Sequence, residues 1–91
     1  MPVIDICRSH HGQPARARAA LDEAARSLAA SYGIRHRWEG ERLLFERSGL
    51  RGHVDVGPSD LRLRIELGLL LGTLKPVIER EIERQLDQHL A

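Results

Sequence analysis

At 91 residues, with 42% hydrophobic and 30% charged residues and a net charge of +1, the chain has the composition of a soluble globular protein. A domain of this length buries about 65% of the surface its unfolded chain exposes, which allows one modest core and excludes a large enclosed pocket with a lid. Thirteen of the fourteen basic residues are arginine, but they alternate with thirteen acids; nucleic-acid binding needs excess charge on one face, so a solvated, mixed-sign surface is expected instead. A single domain spanning 1–91 follows.

The N-terminus, "MPVIDICRSHHG", has no basic segment followed by an apolar one, so no secretory signal is expected. "VIDICR" (3–8) is short and β-branched and reads as a strand. Cys7, the single cysteine, can form no internal disulfide; a reducing, cytoplasmic setting and a partly buried strand position are expected. "SHHGQP" (9–14) is turn chemistry. A helix is expected from Ala15 to Tyr32, because Leu21, Ala24, Ala25, Leu28 and Tyr32 make one apolar stripe. Pro14 suits its first turn, Gly33 its left-handed end, and Asp22 with Arg26 forms an outward i, i+4 pair.

After Gly33 the period shortens to two. "IRHRWE" (34–39) sets Ile34, His36 and Trp38 on one face. Glu39-Gly40 marks a tight hairpin. "RLLFERS" then points Leu43 and Phe45 inward and Leu44 and Glu46 outward. After a turn at "SGLRG", "HVDVG" (53–57) offers Val54 and Val56 inward and His53 and Asp55 outward. "GPSD" is the next turn. In "LRLRIELGL" (61–69) Leu61, Leu63, Ile65, Leu67 and Leu69 share one face, and a one-residue slip would expose all five. Leu70 and Leu71 then fall in a sharp corner between Gly68 and Gly72, where core packing of two of the three adjacent leucines is expected. Thr73 is a helix N-cap candidate, and Leu74, Val77, Ile78, Ile82, Leu86 and Leu90 form the stripe of a last helix. No membrane span is expected, since no apolar run approaches the ~20 residues required.

The order β-α-β-β-β-β-α predicts an α+β two-layer sandwich: an antiparallel sheet with one wet face and both helices packed on the other. The wet face carries Arg35, Arg37, Arg51, Arg62 and Arg64 among Glu39, Glu46, Asp55 and Glu66. That near-neutral mixture suits a solubilising surface.

Reactive chemistry is sparse. Cys7, His10 and His11 form C-x2-H-H, but no C-x2-C pair supports a metal site. No serine lies in a G-x-S-x-G elbow, and no Walker or G-x-G-x-x-G pattern occurs. The acids lie on solvent faces, and the aromatic residues are assigned to the core. No catalytic, cofactor-binding or metal-ligating residue is therefore assigned, and no cofactor.

Three blocks resemble a small bacterial family, the polyhydroxyalkanoic acid system or granule-region proteins. They are "PVIDICRSHHGQPARARAALDEAARSLAASYG", "RWEGERLLFERSGLRGHVDVG" and "ELGLLLGTLKPVIEREIERQLD". The resemblance implies a cytoplasmic protein of bacteria that store carbon as polyester, associated with the storage granules, with no established active-site residues to carry over. The element order is also similar to a shortened START-like, or Bet v 1-like, helix-grip fold, but lacks the strands and helix that build the usual ligand cavity.

A non-enzymatic accessory protein of polyhydroxyalkanoate metabolism is therefore expected. It would contact the granule surface, or a granule protein, through an apolar edge made of Leu69, Leu70, Leu71 and Leu74 with outward Leu44. Two alternatives stand beside it. A helix-grip-type binder of an acyl ligand would use His36 and Trp38 to line a cavity of at least ~300 Å³, the low end for ligand sites. A homodimer would pair through the leucine corner or the edge strand "VIDICR".

Overall fold

A computed structural model describes residues 2–90, without the side chain of Leu90, the last member of the expected stripe. Strand β1 (Val3–Ser9) leads into helix α1 (Pro14–Tyr32). A meander follows: β2 (Arg35–Glu39), β3 (Arg42–Arg47), β4 (Leu50–Val56) and β5 (Asp60–Leu67). One short turn of helix, α2 (Leu69–Gly72), precedes α3 (Lys75–Leu90). The five strands form one antiparallel sheet in the order β1-β5-β4-β3-β2, so β1 closes the meander at the β5 edge. The architecture is the expected α+β sandwich, with both helices over one face.

The core follows from β5. Its alternation puts Leu61, Leu63, Ile65 and Leu67 fully inside, with Arg62, Arg64 and Glu66 exposed on the opposite face. Burying a leucine contributes about 1.5–3 kcal/mol, so this strand anchors the register of its neighbours. Ile4 of β1, Leu43 of β3 and Val54 and Val56 of β4 complete the apolar face. Helix α1 lies against it through Ala17, Ala20, Leu21, Ala24 and Ala25, all buried. Small side chains let α1 approach its neighbours closely. Leu86 is the buried residue of the expected α3 stripe; Ile78 and Ile82 are half-buried.

Both ends of α1 are fixed as the sequence suggests. Pro14 occupies the first turn, and Gly33 adopts the left-handed conformation (φ 68°) with its N–H donating to the Ala29 carbonyl. The start is held by His10, which is buried. The Gln13 N–H donates to His10 Nδ1 (2.9 Å), so Nε2 carries the ring proton and donates to the Gly57 carbonyl (2.7 Å). One imidazole thus joins the β1–α1 loop to the β4–β5 turn.

The wet face is laced by ion pairs, Arg35–Glu46, Arg37–Glu39, Arg42–Asp55 and Arg64–Asp5. Cys7 belongs to this face and is exposed, contrary to its expected partial burial. Ile4 and Ile6 claim the inward parity of β1, so residue 7 must point out. Strand β4 starts three residues earlier than expected, at Leu50, because the turn is confined to Ser48-Gly49. Gly52 thereby sits mid-strand, opposite Phe45. A Cβ there would stand 2.7 Å from both the Phe45 ring and the Arg64 carbonyl oxygen.

Candidate functional site

The end of β5 decides which leucines meet solvent. Two chain segments cross there at glycines: the Gly68 N–H donates to the Gly49 carbonyl at 2.8 Å. A Cβ on Gly68 would stand 3.3 Å from the Gly49 Cα. The chain leaves the sheet at this crossing and coils for one turn, closed by the Gly72 N–H on the Gly68 carbonyl (2.9 Å). Gly72 itself lies against Pro2.

The turn changes the periodicity and the fate of the leucines. Leu69, expected as the last inward residue of the strand, is 91% exposed, and Leu70 is 86% exposed. Leu71 alone turns inward, packing on the core and on Gly49. The expectation of two leucines packed on the core is therefore corrected to one, the half-buried Leu71, because helical spacing replaces strand alternation after Gly68. Thr73 ends α2 and caps no helix start; its hydroxyl donates to the Leu70 carbonyl (3.0 Å).

The apolar surface extends beyond the leucine corner. Leu74 is 47% exposed and Val77 60%, although both belong to the stripe assigned to the core. Tyr32, the last residue of α1, is also half-exposed. Leu44 lies apart from them. It points to the wet face, opposite His53 and Arg37, and is half-buried.

Tyr32, Leu74 and Val77 also border a cleft of about 300 Å³ between the helices and the sheet. Leu43, Val54, Leu63 and Ile65 form its buried floor. Leu21, Ala24 and Ala25 of α1 face Ile78, Ile82 and Leu86 of α3 across it. Four polar residues line it besides: Tyr32, Arg47, Glu81 and Gln85.

Glu81 and Gln85 are coupled. Arg84 donates twice to the Glu81 carboxylate (2.7 and 3.0 Å), and the Gln85 amide nitrogen adds a longer bond at 3.3 Å. The Arg84 bonds, then the Gln85 bond, hold the Glu81 carboxyl below its ordinary value. Gln85 is buried, and its amide oxygen has no partner among the described residues. Its place on the cleft wall was legible in the spacing, three residues after Ile82; its polarity hid it from a search for apolar residues.

His36 and Trp38 serve a different contact. They lie side by side on β2 beneath Asp22 of α1, and other residues line the cleft. The Trp38 Nε1–H donates to Asp22 (3.1 Å), and His36 Nε2 stands 3.9 Å from the same carboxylate. Arg18 lies 4.2 Å above the indole ring. Asp22 also pairs with Arg26 at 3.0 Å as expected. The C-x2-H-H residues are dispersed: both ring nitrogens of His10 are engaged, and Cys7 faces out toward Asp60 (3.7 Å).

No helix among the described residues is long and apolar enough to cross a membrane. No curated protein and no solved structure matches the chain. Residues 4–90 match the model of the family described as "Putative polyhydroxyalkanoic acid system protein", and the chain belongs to that family.

Proposed function

We propose that this protein is a non-enzymatic accessory of polyhydroxyalkanoate metabolism that attaches from the cytoplasm to the surface of the storage polyester. The observation that carries the reading is the apolar end of the molecule. Leu69 and Leu70 project almost fully into solvent, beside Leu74, Val77 and Tyr32. Exposed apolar side chains scattered singly need no explanation, whereas a group at one end of a small protein marks a contact surface. Family membership supplies the context of the polyester system.

The energetics favour weak, reversible attachment. Each leucine that enters an apolar phase contributes about 1.5–3 kcal/mol at most, and association costs an estimated 4–15 kcal/mol in lost freedom. Several of these side chains must therefore engage together. The mixed ion pairs of the wet face keep the opposite side of the sheet in water.

Co-sedimentation with bare polyester particles tests the reading. The parent protein should pellet with them. Leu69→Asp/Leu70→Asp should weaken binding by at least about tenfold, the equivalent of ~1.4 kcal/mol. Leu44→Asp, on the wet face, should pellet like the parent. Failure of the parent to pellet with bare particles, or equal binding by the double variant, contradicts the proposal. Pelleting only with native granules would move the contact to a granule protein. Loss of a dimer in the double variant, seen by light scattering without any polyester binding, would assign the leucines to self-association.

A further inference from the structure

The cleft shares Tyr32, Leu74 and Val77 with the apolar end of the molecule, but most of its lining comes from residues outside that surface. Its floor and its α1 wall are apolar, its α3 wall is apolar apart from Glu81 and Gln85, and its volume, about 300 Å³, reaches the size of small-molecule sites. A methylene fills about the space of one water, ~30 Å³, so the cleft accommodates a chain of about ten atoms. It is too small for a folded lipid or a nucleotide.

The polar rim gives the occupant a sign. The charge of Glu81 is already offset by Arg84, and Gln85 adds a hydrogen bond to the same carboxylate. Arg47, at the end of β3, donates one Nη1–H to the Tyr32 carbonyl (2.9 Å) and has no carboxylate partner among the described residues. Its remaining N–H donors lie at the border of the cleft, and a planar guanidinium fork matches an anionic carboxylate bidentately, which a neutral head cannot reproduce. A largely apolar cleft bordered by a cation with no carboxylate partner among the described residues fits a fatty-acid-like ligand.

We propose that the cleft between α1 and α3 binds one medium-length aliphatic carboxylate, its chain between the helices and the sheet and its head on Arg47. The floor residues Val54 and Ile65 and the wall residues Ile78 and Ile82 meet the chain. Leu69 and Leu70 are not among the lining residues, whereas Tyr32, Leu74 and Val77 are shared with the polyester-binding surface, so substitution of the two exposed leucines tests that surface alone.

Calorimetry of the full chain with hexanoate, octanoate and decanoate, each below its micelle concentration, tests the proposal. One ligand should bind per protein, and affinity should rise about fourfold per added methylene. Arg47→Gln should weaken decanoate about two- to fivefold, the scale of an exposed ion pair, while leaving decanol unchanged; a thermal melt of the variant checks that it folds. Decanoate should shift the methyl NMR signals of Val54, Ile78 and Ile82. Leu69→Asp/Leu70→Asp should bind decanoate like the parent. Affinity independent of chain length overturns the proposal, as do equal losses for decanoate and decanol in Arg47→Gln. So do shifts confined to Leu69 and Leu70. A dimer that takes up no ligand would assign the cleft to a second copy of the chain and overturn it as well.

Discussion

Leu70→Asp and Leu71→Asp place the same charge at adjacent positions and should differ sharply in their cost to stability. Leu70 is 86% exposed, so its substitution removes little buried area. Surface changes of this kind stay within about 0.5 kcal/mol. Leu71 packs on the core, and its Cδ1 lies 3.3 Å from where a Gly49 side chain would begin. Replacing it loses about 1–2 kcal/mol of apolar burial and confronts a carboxylate with the same apolar neighbours, adding about 1–3 kcal/mol. A total near 3 kcal/mol lowers the melting temperature of a domain this size by about 12–24 °C. Urea unfolding, followed by the fluorescence of Trp38 in its bond to Asp22, reads both variants. Equal destabilisation by the two substitutions would refute the one-turn helix and the outward placement of Leu70.

Three other substitutions probe the scaffold. Gly52→Ala should destabilise by about 1–2 kcal/mol in urea unfolding, because overpacking against Phe45 and the Arg64 carbonyl outweighs the strand preference of alanine; a stability at or above the parent would contradict the close approach. His10→Leu should cost about 1–2 kcal/mol, since the Gly57 carbonyl loses its partner and the Gln13 N–H keeps only its longer bond to the His10 carbonyl (3.3 Å); a melting temperature unchanged within error would remove the imidazole from its bracing role. Glu81 has a folded pKa below its ordinary 4.5, so its contribution is complete above that pH and is lost as pH falls through the lower folded value. Glu81→Gln should therefore flatten the acid limb of the stability curve below about pH 4.5, and an unaltered limb would show that the Arg84 contact does not persist in solution.

Most of the sandwich was legible because its signals are local. The alternation of Leu61 to Leu67, the Gly33 stop and the alanine stripe of α1 each specify their own element. The parity of Ile4 and Ile6 even implied an outward Cys7, against the partial burial assigned to it. What the sequence concealed depends on distant partners. The strand stops at Leu67 because Gly49 crosses the chain at Gly68, and three leucines between glycines carry no period that separates strand from helix. The apolar stripe of α3 was visible, but Leu74 and Val77 extend past the covered part of the core, so their side chains reach solvent. His10 reads as a loop residue until the β4–β5 turn, 47 positions away, closes over it. The volume of the cleft follows from the spacing of two helices, which no single segment encodes. Arg47 and Gln85 became candidates only once that space existed.

The most direct measurement places a reporter on the exposed turn. In a Cys7→Ser background, Leu70→Cys carries an environment-sensitive fluorophore, and Ser59→Cys, in the β4–β5 turn at the other end of the sheet, serves as the reference. On addition of bare polyester particles the label at position 70 should shift to the blue and gain intensity, while the label at position 59 stays unchanged. Equal responses at both positions, or none at position 70, would contradict attachment through the leucine end.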